Sequence, residues 1–167
     1  MSLNLVIDTQ FAEAISEQDP NLPSINDLDR WVRMALIEED LFLSLLAQKG
    51  KDTVEIGIRY TDMAEIRQLN DEYRQIDKAT NILSFASEVP DYVEDNNFLG
   101  DLVVCPQIIE KEAKEQSIPL VSHWSHIIIH GVLHLLEYDH EDDDEAEIME
   151  ALEVKILMAL GHSDPYQ

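Results

Sequence analysis

Residues 130 to 140 read HGVLHLLEYDH, a stretch that contains His130, His134 and His140. On an α-helix His130 and His134 project from one face, about 6 Å apart along the axis, so both imidazoles can reach one ion. An unbroken helix would carry His140 about 9 Å further and onto another face, so the helix must end near Glu137 and Tyr138. Three histidine ligands leave one open position, as in catalytic zinc sites, whereas structural zinc normally has four protein ligands. The spacing therefore predicts one catalytic zinc ion per chain.

These histidines are also compatible with different functions. The same spacing occurs in HExxHxxGxxH metallopeptidases, but the position of their glutamate base is Gly131 here, which disfavours a peptidase. A single histidine on an apolar helix is commonly a core residue bonded to a carbonyl, and only the three-histidine spacing favours a metal. His123 and His126 lie on the same stripe, where they could support the ligands or simply be surface residues.

The rest of the chain predicts an α/β (α+β) fold. Four segments have the patterns of strands, namely LNLVID (3–8), TVEIGIRY (53–60), NILSF (81–85) and DLVVC (101–105). Helix signals begin at Ser24, at Thr61 or Asp62, at Pro106, at about Val121 and in the acidic run 141–145, and the apolar residues 41–47 are also compatible with a helix. The helix from about Val121 to Leu136 contains three β-branched isoleucines, so the histidine spacing decides for a helix there. We expect one domain, 1–167, with a mixed sheet of about four strands covered by helices.

Composition limits the functions that are open to this chain. It has 11 Lys and Arg against 35 Asp and Glu, a net charge of -24, so general attraction to nucleic acid or to an anionic membrane is not expected. A polyanionic substrate would have to be held locally. The lone Cys105 excludes an internal disulfide and fits a reducing cytosol. Because a signal peptide and an apolar run of roughly 20 residues are both missing, we expect a soluble cytoplasmic protein.

The histidine motif resembles that of a known family. HGVLHLLEYDH is similar to the HGxLHLxGYDH pattern of the YbeY family of bacterial endoribonucleases, with Glu137 in place of a glycine. LNDEYRQIDKATNILSF (69–85) is similar to the family's LN..YR..D..TNVLSF segment, with Ala79 where proline is common. LGDLVVC (99–105) and EIMEALEVKILMALG (147–161) follow in the family's order. The resemblance covers roughly residues 54–166 and implies a zincin-like arrangement.

This resemblance implies a function. It implies a zinc-dependent endoribonuclease for single-stranded RNA that acts in maturation of the 16S ribosomal RNA 3′ end and in ribosome quality control. Because a protein of this charge is poorly suited to capturing RNA by electrostatics alone, we expect docking onto ribosomal proteins or assembly factors. An alternative is a ribosome-assembly binding module whose metal stabilises the fold, and a metallopeptidase ranks third.

The resemblance also indicates residues that act on RNA. It implies that Arg74, the arginine of the YR pair, matters for activity, and its planar guanidinium suits bidentate phosphate contact. Arg59, Arg67 and Lys78 either contribute to a positive groove or are ordinary surface charges. Three residues of the TN.LSF segment either contact the substrate or serve strand packing, namely Thr80, Asn81 and Ser84.

Residues near the third histidine have open roles. Glu137 either occupies a left-handed turn position, at a cost of about 1 kcal/mol, or approaches the metal. Asp139 either orients a ligand imidazole or caps a helix. The acidic run 141–145 is expected to start the last helix and to be solvated, because negative charge is favourable at a helix N-terminus.

Overall fold

The computed structural model describes residues 3–38, 48, 50–88, 97–136 and 143–166. The strands are β1 (Asn4–Phe11), β2 (Thr53–Tyr60), β3 (Ile82–Ala86) and β4 (Phe98–Val104). The helices within these ranges are α1 (Ile25–Glu38), α2 (Met63–Arg74), α3 (Pro106–Gln116), α4 (Leu120–Leu135) and α5 (Asp143–Ala159). The predicted strands and the five helices with start signals are therefore confirmed, with ends that differ by a few residues. The further helix considered at 41–47 lies outside the described residues.

The strands form one mixed sheet in the order β1-β2-β4-β3. β1 and β4 both run parallel to β2, and β3 pairs antiparallel with β4. A parallel pair needs a crossover connection, and α1 lies on the one between β1 and β2. The mixed four-stranded sheet expected from the sequence is confirmed. Its order brings Asp8, Gly57 and Asp101 side by side on three neighbouring strands.

One face of the sheet is covered by helices. The alternating residues Val54, Ile56, Ile58 and Tyr60 of β2 are buried in the main core, which also contains Trp124 of α4. Helices α1 and α4 pack against the sheet and against each other, and α5 packs against both helices. This arrangement places α4, which carries the first two histidines, directly against strands β3 and β4.

The opposite face of the sheet is covered only in part. Ile66 of α2 packs against Leu83, Val103 and Cys105 in a small second cluster. Towards β1 and β2 the same face contributes Asp8 and other polar residues to a groove. The half-covered sheet therefore supplies the floor of a surface site.

Helix α4 forms despite a local preference for strand. Ile127, Ile128 and Ile129 are 5%, 0% and 0% exposed, so their burial outweighs the modest helix penalty of β-branched residues. The helix spans Leu120–Leu135, within one residue of the predicted bounds. The prediction of a helix from the histidine spacing is confirmed.

Side chains cap two of the other helices at their predicted starts. The Ser24 hydroxyl accepts a hydrogen bond from the Asp27 amide at 3.1 Å, at the start of α1. For α2 the sequence allowed Thr61 or Asp62 as the cap, and the Asp62 carboxylate accepts from the Glu65 amide at 2.9 Å. Among the helices described, none has both the length and the apolar character needed to cross a membrane.

Candidate metal centre and adjoining groove

His130 and His134 lie one turn apart near the C-terminus of α4, and their side chains meet. The two Nε2 atoms are 3.1 Å apart. Two nitrogens bound at 2.0 to 2.1 Å to one tetrahedral zinc ion are separated by about 3.3 Å, so a small adjustment would allow both to bind the same ion. The donor set and its spacing therefore fit zinc at these two positions.

A buried carboxylate from α5 holds the first of these histidines. Glu153 is fully buried, and its Oε1 lies 2.5 Å from His130 Nδ1. Its Oε2 lies 3.0 Å from His126 Nε2 and accepts a hydrogen bond from the Tyr166 hydroxyl. Burial by itself would raise the pKa of Glu153, but the hydrogen bonds from His126, His130 and Tyr166 outweigh it and lower the pKa to about 2. The carboxylate is therefore ionised at neutral pH.

This hydrogen-bond pattern fixes the tautomer of His130. An ionised carboxylate can only accept, so His130 must donate through its Nδ1 hydrogen. In the neutral ring Nε2 then carries a lone pair, and it is this atom that faces His134 Nε2. Carboxylate–histidine pairs of this kind orient imidazole ligands at zinc sites. Glu153 was not among the sequence candidates, although a glutamate on the apolar stripe of the last helix was a visible signal.

A second set of donors lies close to the first. His126, His130 and Glu153 each offer one ligand atom, and these three atoms all lie within 4.8 Å of one another, close enough to hold a metal ion. The 2.5 Å between His130 Nδ1 and Glu153 Oε1 is shorter than the roughly 3.3 Å between two ligands of one tetrahedral ion, so a hydrogen bond accounts for it better. His126 is partly buried, and its contact with Glu153 favours the alternative in which it supports a ligand over that of a simple surface residue.

His123 is also buried, but it belongs to a different cluster. Its Nε2 lies 3.0 Å from Oε1 of Glu112, which also accepts a hydrogen bond from Asn81 Nδ2 at 3.1 Å. Burial would raise the pKa of Glu112, but the hydrogen bonds from His123 and Asn81 lower it overall. The surface interpretation of His123 is wrong, because the residue is only 3% exposed. Its hydrogen bond is to Glu112, and its ring contacts that of His126 with centroids 6.2 Å apart.

A groove of about 1590 Å³ runs from His130 and His134 across the open sheet face to α2. Arg74 lines it, is exposed, and has no hydrogen bond or ion pair with another described residue. Arg59 also lines it, but both its Nε and an Nη atom lie 2.8 Å from the Glu65 carboxylate. The Arg59 hydrogen bond is the main cause of the lowered pKa of Glu65. Arg74 is therefore the groove arginine whose guanidinium is available to an anion.

Of the two alternatives for the basic residues near Arg74, the positive groove does not fit the described lining. Its acidic side chains outnumber the two arginines, namely Asp8, Glu65, Glu88 and Asp101. Burial, followed by the charge of Asp8, raises the pKa of Asp101. Arg67 instead faces Asp77 at 2.7 Å, and neither Arg67 nor Lys78 is part of the described lining, so both are surface charges.

Comparison with known proteins places these features in a family. A model of the family described as endoribonuclease YbeY matches residues 19–161, which is most of the chain. The chain belongs to the YbeY family. The solution structure of TM1509 from Thermotoga maritima is similar at 23% identity, over 97% of this chain and 99% of that chain, with a TM-score of 0.46. Membership of this family supports an endoribonuclease, a hydrolase that cuts RNA at internal positions, with a role in ribosomal RNA processing.

Part of the YbeY motif lies outside the described residues. This part includes His140, the predicted third ligand, as well as Glu137 and Asp139, so their proposed roles remain predictions. The described beginning of α5, from Asp143 to Glu145, is acidic and exposed, as expected of a solvated helix start.

Gly131, the second residue of the motif, has a packing role in this YbeY protein. A Cβ atom at Gly131 would lie 2.5 Å from Ile82 Cδ1 and 2.9 Å from Leu102 Cδ2, since α4 rests directly on β3 and β4. A glutamate, the base of a metallopeptidase, fits there only if the Ile82 and Leu102 side chains or the helix move. This contact gives a structural reason for the missing glutamate and argues further against the peptidase alternative.

The residues of the TN.LSF segment lie in the groove wall, where two of them bind other parts of the protein. Thr80, Asn81 and Ser84 all line the groove. Ser84 Oγ donates to the Gly131 carbonyl at 3.0 Å, and Asn81 is bonded to Glu112. The structural role considered for these residues therefore accounts for Ser84 and Asn81, whereas substrate contact stays open for Thr80.

Proposed function

We propose that this protein is a zinc-dependent endoribonuclease for single-stranded RNA that matures the 3′ end of 16S ribosomal RNA and takes part in ribosome quality control. The observation that carries the proposal is the pair of Nε2 atoms of His130 and His134, 3.1 Å apart, in the same groove as Arg74. His140 would complete the ligand set of one zinc ion. A zinc ion at this position would act as a Lewis acid, either activating water near neutral pH or offsetting charge on the phosphoryl group.

The protein's own residues supply orientation and phosphate binding. Glu153 keeps the Nδ1 hydrogen of His130 in place, so that the Nε2 lone pair is presented for ligation. The guanidinium of Arg74 can donate two parallel hydrogen bonds to a phosphate that enters the groove. It would stabilise the negative charge that grows on the phosphoryl oxygens during cleavage. Arg74 is therefore proposed as a catalytic residue that does not bind the metal.

The charge of the protein supports a role for partners. With a net charge of -24 and an acidic groove, the chain repels RNA at long range. We propose that ribosomal proteins or assembly factors in the cytoplasm bring the enzyme to its RNA. The same observation favours the second candidate, an assembly module that binds a structural metal and does not cleave RNA.

Metal analysis combined with RNA cleavage tests the proposal. Purified wild type is expected to carry one zinc per chain and to cleave single-stranded RNA in preference to duplex. Alanine variants at His130, His134 and His140 should each lose zinc and cleavage, whereas His162→Ala, which removes a histidine bonded to Ser122, should keep both. Retention of stoichiometric zinc in all three ligand variants would exclude the proposed site. Wild type that binds zinc, unfolds when the zinc is removed and never cleaves RNA would favour the assembly module.

A further inference from the structure

The acidic groove creates a problem for RNA binding. Apart from Glu65, which is paired with Arg59, the groove carries the carboxylates of Asp8, Glu88 and Asp101 against the single available guanidinium of Arg74. Phosphate contacts usually supply most of the non-specific affinity for nucleic acid. Here they are too few, so part of the affinity must come from another portion of the nucleotide.

Two aromatic rings stand in the same groove. Tyr73 precedes Arg74 in the last turn of α2, and its residue surface is 63% exposed. Phe85 on β3 meets it in an edge-to-face contact, with ring centroids 5.1 Å apart and an interplanar angle of 71°. Phe85 also packs on the cluster around Ile66 and Leu83. The partly buried ring thus braces the exposed one.

We propose that Tyr73, braced by Phe85, is a stacking platform for a base of single-stranded RNA, an inference that rests on the nuclease function proposed above. Stacking on an aromatic side chain contributes affinity without any phosphate contact and tolerates all four bases. Arg74, the next residue, lines the same groove and supplies the phosphate contact of the bound strand. Base and backbone would thus be held by consecutive residues of one rigid helix.

The platform also gives a physical origin for the preference for single strands. In a duplex both faces of each base are covered by neighbouring bases, so stacking on Tyr73 would first require unstacking and unpairing. A single strand offers its bases without that cost. The preference for single-stranded over duplex RNA then follows from how accessible the bases are, and it requires no sequence-specific contact.

An experiment with abasic RNA separates base contacts from backbone contacts. The full-length protein is mixed with a fluorescein-labelled oligouridine of six nucleotides, or with the same backbone lacking its bases, in chelator so that the RNA stays intact. Wild type and Tyr73→Phe should bind the intact RNA more tightly than the abasic chain. Tyr73→Leu should lose about 5-fold to 150-fold in affinity for intact RNA and bind the abasic chain as wild type does. Ile76→Ala, which removes a 43% exposed apolar side chain outside the described groove lining, should behave as wild type.

Two results with the Tyr73→Leu variant would overturn the platform. If Tyr73→Leu, shown by circular dichroism to be folded, still prefers intact RNA by the wild-type factor, the ring does not stack on a base. An equal loss for intact and abasic RNA would also overturn it, since the effect would not depend on bases. Zinc-loaded wild type that cleaves the oligouridine in either case would leave the proposed nuclease function intact. Wild type that neither binds nor cleaves RNA would overturn both proposals.

Discussion

Replacing Glu153 with glutamine keeps the shape of the side chain but removes the charge to which three donors point. His126, His130 and Tyr166 all contact this carboxylate, which can only accept. An amide offers one oxygen and one NH2 group, so at least one donor must face another donor or change its tautomer. If the NH2 group faces His130, the ring must carry its hydrogen on Nε2, and the lone pair that faces His134 is lost. The substitution is therefore expected to affect both the fold and the proposed metal site.

The expected size of each effect follows from these contacts. Loss of a hydrogen bond to a buried charge costs about 2 kcal/mol, which lowers the melting temperature of the zinc-free protein by about 4 to 8 °C at this chain length. Zinc affinity should fall by about 10-fold to 100-fold, as is usual when a partner of a ligand histidine is replaced. Glu147→Gln is a matched control, because it removes the same charge from an exposed position on the same helix.

Two measurements separate the effects on stability and on metal binding. Thermal unfolding of the zinc-free proteins reports the first, and competition with a chromophoric chelator at neutral pH reports the second. Glu147→Gln should match wild type in both. A Glu153→Gln protein that loses stability but binds zinc within about 2-fold of the control would refute the argument that Glu153 orients His130, and would leave it a purely structural residue.

Two other predictions concern the groove. Arg74→Ala should fold and keep its metal but cleave RNA about 30-fold to 1,000-fold more slowly, because a charge-assisted contact in the transition state is lost. Arg67→Ala, on the same helix but outside the described groove lining, is the control. Equal cleavage rates for both variants would mean that Arg74 is an ordinary surface charge with no role in cleavage. Glu65→Gln should be less stable than wild type at pH 7, with a smaller difference at pH 3. The Arg59 hydrogen bond lowers the pKa of Glu65 in the folded protein below the usual value of 4.5. The ionised Glu65 therefore stabilises the fold at pH values above 4.5, and this contribution is lost as the pH falls through the pKa that Glu65 has in the folded protein. Urea unfolding at the two pH values checks this, and a difference that does not change with pH would contradict it.

The elements of the fold could be predicted because their signals are local. Ser24 and Asp62 provide caps, and the alternation in residues 53–60 reflects the one-sided burial of β2. The strand order could not be predicted in this way, because it depends on contacts between distant segments. This order decides which residues share the open face, and it brings Asp8 and Asp101 to either side of Gly57. The acidity of the groove was therefore not visible in the sequence.

The candidate site was predictable to a similar extent. The spacing of His130 and His134 on a helix is a local property, and the structure places their Nε2 atoms in contact as that spacing required. Glu153 comes from another helix and was not singled out, although it lies at helical spacing between the buried Met149 and Ile156, where a charged residue indicates a paired charge. The sequence carried no corresponding signal for Tyr166.

The contact between Gly131 and the sheet leads to a last prediction, in which a structural change is transmitted to the metal site. Gly131→Ala would gain about 1 kcal/mol of helix propensity, but the new methyl group would overlap Ile82 and Leu102 at a cost of about 1 to 3 kcal/mol. We expect a net destabilisation of about 1 kcal/mol and, if α4 rather than the two side chains yields to the methyl group, weaker zinc binding, because the shift occurs next to His130.

Ile82→Val offers a direct test, since it removes Cδ1, the atom nearest to the added methyl group at 2.5 Å. Alone it should cost about 0.5 to 1.5 kcal/mol. Together with Gly131→Ala it should cost less than the sum of the two, with zinc affinity partly restored. Urea unfolding of the four proteins in this cycle measures the coupling energy. If the two substitutions add to within about 0.3 kcal/mol, the packing of the glycine against Ile82 does not set the position of the helix. A coupling well above that value, together with zinc affinity that is partly restored in the double variant, would show that the contact which disfavours a peptidase glutamate also positions the histidine pair.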